Sequence, residues 1–344
     1  MQPATHILGI DIAKDKFDVN LRRWETAEAR LEATFSNNPK GFKALHQWLL
    51  QHGPNSSARL HACLESTSRY GDALAQFLYQ EEYQVSLVNP RRTRHYADSQ
   101  LTRNVNDRID ACLIADFCAS QREKLALWEP LSPEHRQLRD LTRARQALVD
   151  DRERFANMLE TATGLARTTF LKQVRQLDRQ VKAMDKALAQ FVQLVPKLQE
   201  QVALADSVTG VGLVTAATVI AELPPIEKIP QAAQAVALFG LDPIKKTSGK
   251  TVDTPARLSR MGSRRGRKAL YMPALVALRH NPIIRAQGKR LQGKGRSGKY
   301  IVVAAMRKLL RLIYGVIKQG RPFDPNWSAQ SATAQSAPPT TVLF

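Results

Sequence analysis

The chain has 344 residues, 43% hydrophobic and 24% charged, with 51 Lys/Arg against 31 Asp/Glu and a formal net charge of +20. At about 100–200 residues per domain this length predicts two or three domains, and the apolar content excludes a wholly disordered chain. No run approaches the ~20 apolar residues of a membrane-spanning helix, the first residues lack a secretory pattern, and Cys63, Cys112 and Cys118, with no C-x-x-C spacing, argue against a disulfide framework or structural zinc and for a reducing cytoplasm.

Residues 6–12 read as a buried strand carrying Asp11 near its end. A turn at 13–16 leads to a returning strand at Phe17–Leu21 and a third at Leu31–Phe35. Asn37-Asn38-Pro39 opens a helix to about Leu50, with Phe42, Leu45, Trp48 and Leu49 on one face. A strand at Leu60–Leu64 ends at Glu65, followed by a helix at about Tyr70–Glu81 and a strand at Tyr83–Val88 stopped by Asn89-Pro90. A helix then spans Asp107–Ser120. Short turns make the first three strands antiparallel; helical connections make the later ones parallel, giving an α/β domain.

From Leu171 to Leu198 the apolar residues Val174, Leu177, Val181, Met184, Leu188, Phe191 and Val195 repeat at spacings of three and four. This heptad-like seam predicts one helix of a hairpin or coiled-coil arm, or a helical linker packed on its own protein, with a break at Thr161–Gly164. The turn Val208-Thr209-Gly210-Val211-Gly212 opens an apolar helix, either to present backbone N–H groups to phosphate or as a plain tight turn. Beyond it the sequence predicts a short helix at Ala232–Leu241, a Gly/Ser/Arg-rich loop region at Lys245–Arg267 and helices at Leu270–Leu278 and Val302–Ile317. A mobile basic loop at Gly288–Lys299 and a disordered tail from Pro325 complete the reading. The implied domains are 1–128, 129–203 and a mainly α domain at 204–324, with a tail at 325–344.

The charge is localised. Between Lys245 and Arg321 lie 21 Lys/Arg and one acid, Asp253, so this segment carries the whole excess and the remainder is neutral. Such a field calls for a polyanion, most simply nucleic acid; a solvated basic face or an acidic protein partner is the alternative. Scattering among Gly, Ser and Pro speaks against a membrane-surface helix.

Four acids stand out by position: Asp11 and Glu65 at strand ends, and Asp107 and Asp110 at i, i+3 in the first turn of one helix. In an open α/β sheet the ends of parallel strands meet at the ligand-binding edge. Carboxylates gathered there repel unless a hard cation such as Mg²⁺ holds them, and such ions can clamp both oxygens of a phosphodiester displacement. Asp15, Asp98 and Asp116 read as turn or surface residues.

The segments Gly9–Lys14, Glu65-Ser66-Thr67 and Asp107–Ala111 together resemble the RuvC-like, RNase H-fold domain of DEDD transposases, and more closely the insertion-sequence one-ten family of bridge-RNA-guided recombinases. Thr209–Gly212, Phe239–Pro243, Ser248-Gly249-Lys250, Arg267–Ala274, Met306–Leu309 and Tyr314–Val316 carry the likeness through the C-terminal region, so that it spans about residues 6–324. The resemblance implies that Asp11, Glu65, Asp107 and Asp110 bind Mg²⁺. It also implies that Ser248 is the nucleophile of a C-terminal transposase domain, storing the broken linkage as a Ser–phosphate ester. Lys245, Lys246, Lys250, Arg264, Arg265, Arg267 and Lys268 are the expected nucleic-acid contacts. The expected partners are donor and target DNA, a structured guide RNA, and further copies of the chain (dimer or tetramer) that share an active site. A prokaryotic cytoplasmic, nucleoid-associated setting follows. Ser68 stands where the family usually has Gly, and Val105 where it often has Lys. The alternatives are a RuvC-like structure-selective nuclease with no covalent intermediate, and a non-catalytic nucleic-acid binder.

Overall fold

In the computed structural model, residues 4–24, 30–65, 70–100, 107–121, 124–244, 247–248, 252–253, 257–259 and 261–326 are described, with backbone alone at 107–109, 247–248, 252–253 and 257. They fall into two compact units, Met1–Pro130 and Leu131–Phe344.

The first unit is a five-stranded sheet: β1 (His6–Ile12), β2 (Lys16–Arg23), β3 (Arg30–Ser36), β4 (Leu60–Glu65) and β5 (Gln84–Val88), in the order β3-β2-β1-β4-β5. β1, β2 and β3 pair antiparallel; β4 lies parallel to β1 and β5 parallel to β4, as the connections predict. Helices α1 (Pro39–His52) and α2 (Asp72–Gln80) cover one face, where Leu8, Ile10, Phe17 and Val19 meet Phe42, Leu45, Leu74 and Leu78. Helix α4 (Asp107–Ser120) covers the other, where Ile7, Cys63 and Val88 meet Ile114, Phe117 and Cys118. With helices on both faces, β1 is apolar on both sides, which is why it reads as a run and not as an alternation. The N-terminus of α1 is fixed as the sequence predicts: Pro39 occupies the first turn, and the Asn38 side chain accepts from the Lys40 and Gly41 N–H groups at 3.0 Å each.

Three expectations need correcting here. A further helix, α3 (Pro90–Ser99), follows β5 directly. Asn89-Pro90 both ends the strand and starts this helix, Asn89 accepting from the Arg91 N–H at 2.9 Å. Cys63 of β4 and Cys118 of α4 form a buried disulfide across 6.4 Å between Cα atoms, a pairing the odd cysteine count hid. Asp116 is not a surface acid: its carboxylate holds Arg22 of β2 and Arg30 of β3, tying both strands to α4.

The second unit is helical: α5 (Pro133–Thr161), α6 (Gly164–Leu194), α7 (Pro196–Asp206), α8 (Leu213–Glu222), α9 (Ala232–Leu238), α10 (Arg264–His280), α11 (Pro282–Gly293) and α12 (Gly298–Gln319). α5 and α6 pack antiparallel. Arg145 pairs with Asp185, Arg152 with Asp178 at 3.0 Å, and the Phe155 and Phe170 rings lie 5.9 Å apart. Arg145 and Arg152 of α5 thus meet acids of the facing helix. The seam helix does not run to Leu198: Val195 is extended (φ −114°, ψ 99°) because the following Pro196 disfavours a helical residue before it, and Pro196 starts α7. α12 is the central helix, with Leu309, Leu310 and Ile313 fully or almost fully buried among α7, α9 and α10.

The basic loop expected at 288–299 is helical as far as Gly293, because Asn281 caps α11 ahead of Pro282. The loop region expected at 245–267 contains the strand pair β7 (Thr247–Ser248) with β8 (Val252–Asp253), the strand β9 (Arg257–Leu258), which pairs with β6 (Pro243–Ile244) just ahead of the region, and the start of α10. The tail beyond residue 326 lies outside the described residues. No described helix is long and apolar enough to cross a membrane.

Glu222, at the end of α8, joins three helices. It accepts from Arg143 Nε of α5 at 2.9 Å and from the hydroxyl of Ser263, the residue that caps α10, at 2.8 Å. Burial opposes its ionisation, but Arg143 and Ser263 outweigh burial and hold the carboxyl below its ordinary value. A depressed carboxylate stabilises the fold above the unfolded-state value of 4.5 and loses that contribution as pH falls through the lower folded value. Glu222→Gln is therefore expected to cost about 2–3 kcal/mol near neutral pH, leaving Arg143 without its charge partner. Thermal unfolding should show the gap between variant and parent closing as the pH is taken below about 4.5.

Candidate active site

The sheet register brings the strand-end acids together. β1 and β4 pair as Gly9↔Cys63 and Ile10↔Leu64, so the next residues in register are Asp11 and Glu65. Side chains two apart share a face; Asp11 therefore lies on the face of Gly9, and Glu65 on the face of Cys63. That face is the one α4 covers: a Cβ built on Gly9 would stand 2.1 Å from the Ala111 carbonyl oxygen, and Cys63 is bonded to Cys118.

The direction of α4 places its acids. Ala111 lies over Gly9, whereas Asp116 reaches Arg22, the partner of Ile7 in the β1–β2 register. The helix thus runs against β1, and its first turn, with Asp107 and Asp110, lies toward the C-terminal ends where Asp11 and Glu65 sit. Asp110 is half-buried there, as are Asp11 and Glu65. For Asp107 the backbone position in the first turn is what the structure describes.

These acids share one edge of one face, but the oxygens of Asp11, Glu65 and Asp110 are not all drawn within 4.8 Å of one another. Carboxylates without a cation between them repel, and Glu65 has a partner of its own: the Thr93 hydroxyl, buried in the first turn of α3, donates to Glu65 Oε1. Sequence reasoning missed Thr93 because it missed α3; the Asn-Pro pair was the available signal. It also missed Asp18, which pairs with Asp11 across β1 and β2 and is 4% exposed. Asp18 accepts from Lys16 Nζ at 3.1 Å and from the Thr34 hydroxyl. The donor set at this edge is hard carboxylate oxygen, which fits Mg²⁺ or a similar ion. His61, Cys63 and Cys118 also lie within 4.8 Å of one another. With the sulfurs bonded and His61 Nε2 2.8 Å from Ser86 Oγ, they form a core staple and offer no thiolate to a metal.

In the second unit the predicted basic contacts divide. Arg264 and Arg265 are exposed in the first turn of α10. Arg267 donates to the backbone oxygens of Phe239 at 2.8 Å and Gly262 at 3.2 Å. Lys268 is held by Asp150 and by Glu153 at 3.4 Å, and its ammonium is raised above its ordinary value by the Asp150 hydrogen bond. Lys245, Lys246, Lys250, Ser68 and Val105 lie outside the described residues. Ser248 is placed by its backbone in β7, paired with Val252. The Gly210 turn is a packing device: at φ +100°, an added Cβ would meet Ala277 of α10 at 2.9 Å.

Residues 8–162 match a family profile described as Transposase, and residues 202–289 match one described as Transposase IS116/IS110/IS902 family. The chain is 30% identical over 322 residues to a pilin gene-inverting protein of Moraxella bovis, covering 92% of this chain and 97% of that protein. It is also 30% identical over 325 residues to its counterpart in Moraxella lacunata, with the same coverage. An uncharacterised 43.6 kDa protein of insertion element IS110 from Streptomyces coelicolor is 23% identical over 159 residues, 46% of this chain and 37% of that protein. The class is therefore that of DNA transposases and recombinases, enzymes that act on DNA. Within it, the chain belongs to the IS110 transposase family.

Proposed function

We propose that the chain moves a DNA element by cutting and rejoining strands under the direction of a structured RNA, with Mg²⁺ held by Asp11, Glu65, Asp107 and Asp110 and with Ser248 as the nucleophile. The observation that carries this reading is the convergence of Asp11 and Glu65, in register on β1 and β4, with the first turn of α4 on one face of the sheet. The strand order, an antiparallel meander continued by two parallel strands, supports an RNase H-like, RuvC-like domain, and the antiparallel α5–α6 pair supports a coiled-coil arm.

A hard divalent ion, when bound at that edge, stabilises charge on the scissile phosphate. The chain's own groups do the rest. The four carboxylates supply the hard oxygen donors, and Thr93 fixes the rotamer of Glu65. Ser248 Oγ bonds to phosphorus as the P–O bond to a deoxyribose oxygen breaks and the departing oxygen takes up the proton. A strand hydroxyl later reverses the exchange. The number of phosphodiester-level linkages is conserved throughout, so rejoining requires no nucleotide cofactor. Arg264 and Arg265, with Lys245, Lys246 and Lys250, supply the cationic surround. Arg267 and Lys268 join it where their intramolecular partners release them. The likeness to the family supports a site shared between protomers of a dimer or tetramer.

The test uses the full chain with Mg²⁺, its element-end DNA and RNA transcribed from the flanking non-coding stretch. A covalent protein–DNA adduct should be resolved on a denaturing gel and should vanish with Ser248→Ala. An adduct that survives in that variant would refute the assignment of Ser248, and strand cleavage with no adduct at all would point to a hydrolytic nuclease.

A further inference from the structure

A cleft of about 740 Å³ opens in the second unit, lined by none of the residues given a role above. One stripe of α12 lines it with Tyr300, Val303, Ala304, Arg307, Lys308 and Arg311, whose steps of three and four are those of a single helix face. Opposite stands a stripe of α11 with Gln287, Arg290 and Leu291; Leu241 and Leu258 extend the apolar floor. Lys299 brings the cations to five, and none of the described lining residues is acidic.

Two features mark the cleft as built for a ligand. Arg307 Nε and Gln287 Oε1 are buried with no hydrogen-bond partner, and such groups cost about 1–3 kcal/mol when left unsatisfied. The five cations also repel one another: burial first, then Arg311, lower the Lys308 ammonium below its ordinary value. An anion entering the cleft would accept from Arg307 Nε–H and offset the repulsion among the cations, whereas Gln287 Oε1, an acceptor, needs a donor such as the N–H of a base. A plain phosphate would not explain the apolar floor, nor the Tyr300 ring, which is 44% exposed at the rim with the Arg296 guanidinium 5.3 Å from its centroid. An apolar slot beside a stackable ring and a ring of cations is the arrangement that holds an unpaired base and its flanking phosphates.

We infer that this cleft binds a single-stranded segment of nucleic acid, one base lying against Tyr300 and the Leu241, Leu258 and Leu291 floor, with the adjoining phosphates on Arg290, Lys299, Arg307 and Arg311. The inference rests on the DNA-processing reading but uses neither the acidic edge nor Ser248. An unpaired strand is what a recombinase holds whenever a duplex is opened or an RNA loop is presented, so the same chemistry serves DNA and RNA.

The experiment is fluorescence anisotropy on the full chain with labelled twelve-nucleotide oligo-dT and oligo-rU, a blunt duplex of equal length, and poly-glutamate as competitor. Lys299→Gln/Arg311→Gln should weaken single-strand binding at least tenfold and flatten the salt dependence by about 1.4 in log–log slope, at about 0.7 per phosphate contact. Tyr300→Ala should weaken it about tenfold through lost stacking without changing the slope. Arg279→Gln, exposed on α10 and outside the cleft, should stay within about twofold of the parent, as befits one peripheral charge. A loss confined to oligo-dT or to oligo-rU identifies the strand as DNA or RNA. Unchanged affinity and slope in the double variant, or a loss as large for duplex or poly-glutamate as for single strands, would overturn the inference. Anisotropy is read without Mg²⁺ and reports binding alone, so a failure of the cutting chemistry and a failure of this cleft read out separately.

Discussion

Gly9→Val is expected to unfold or loosen the first unit more than any other single change on its sheet. A Cβ at this position would stand 2.1 Å from the Ala111 oxygen, 2.5 Å from the Ala115 nitrogen and 2.8 Å from the Ala115 Cβ. Two of those atoms are backbone, so no rotamer change relieves the clash and α4 as a whole must lift. Overpacking costs about 1–3 kcal/mol where side chains can adjust; with backbone as the obstacle, about 3 kcal/mol or more is expected, a fall in Tm on the order of 10 °C. Gly9→Ala should show most of the same fall, because its single methyl already meets these atoms. Gly212→Ala is the control: an added Cβ there meets nothing within 4 Å, and its melting temperature should stay close to the parent's. Lifting α4 also carries Asp110 away from Asp11 and Glu65, so strand cleavage should fall even at temperatures where the Gly9 variants remain folded. A Gly9→Ala chain that melts with the parent would mean that α4 does not rest on β1.

The same contact explains what the sequence revealed of this fold and what it hid. β1 was readable because burial on both faces leaves an uninterrupted apolar run, and α1 because its apolar positions recur at helical spacing behind an Asn-Pro start. The acids were readable one by one as strand-end or helix-start residues. That they share a face depends on register and on the direction of α4, and register is a long-range property: Arg22 and Asp116, which help to fix it, are 94 residues apart. α3 was hidden because Pro90–Ser99 offers almost no apolar face, burying only Thr93. α11 was hidden by its glycines and cations, although Gly288 is needed there: an added Cβ would meet Leu278 at 2.7 Å. The break at Pro196 was masked by a seam that keeps its spacing across two helices. Charge counting located the basic C-terminal region but could not separate Lys268, already satisfied by Asp150 and Glu153, from the cations of α12 that face an open cleft.

Asp11→Asn is the second large effect, and its value lies in separating a metal-holding carboxylate from a structural one. The substitution keeps size and shape and removes one charge from a face that also holds Glu65, Asp110 and the buried Asp18. If these acids hold Mg²⁺, the parent's melting temperature should rise with Mg²⁺, by about 2.7 kcal/mol of stabilisation at a hundredfold excess over the dissociation constant. That rise should be absent or strongly blunted in Asp11→Asn. Strand cleavage should fall on the order of 10³-fold, corresponding to several kcal/mol of lost transition-state stabilisation. Thr93→Val makes the contrast. It leaves every carboxylate in place and removes only the hydroxyl that fixes Glu65, so the Mg²⁺-dependent rise should persist while cleavage drops by about 10-fold, the scale of one lost positioning hydrogen bond. A carboxylate serving only the fold would give another pattern: Asp11→Asn would lower the melting temperature equally with and without the ion. Parent-like cleavage in Asp11→Asn would remove this edge of the sheet from the chemistry.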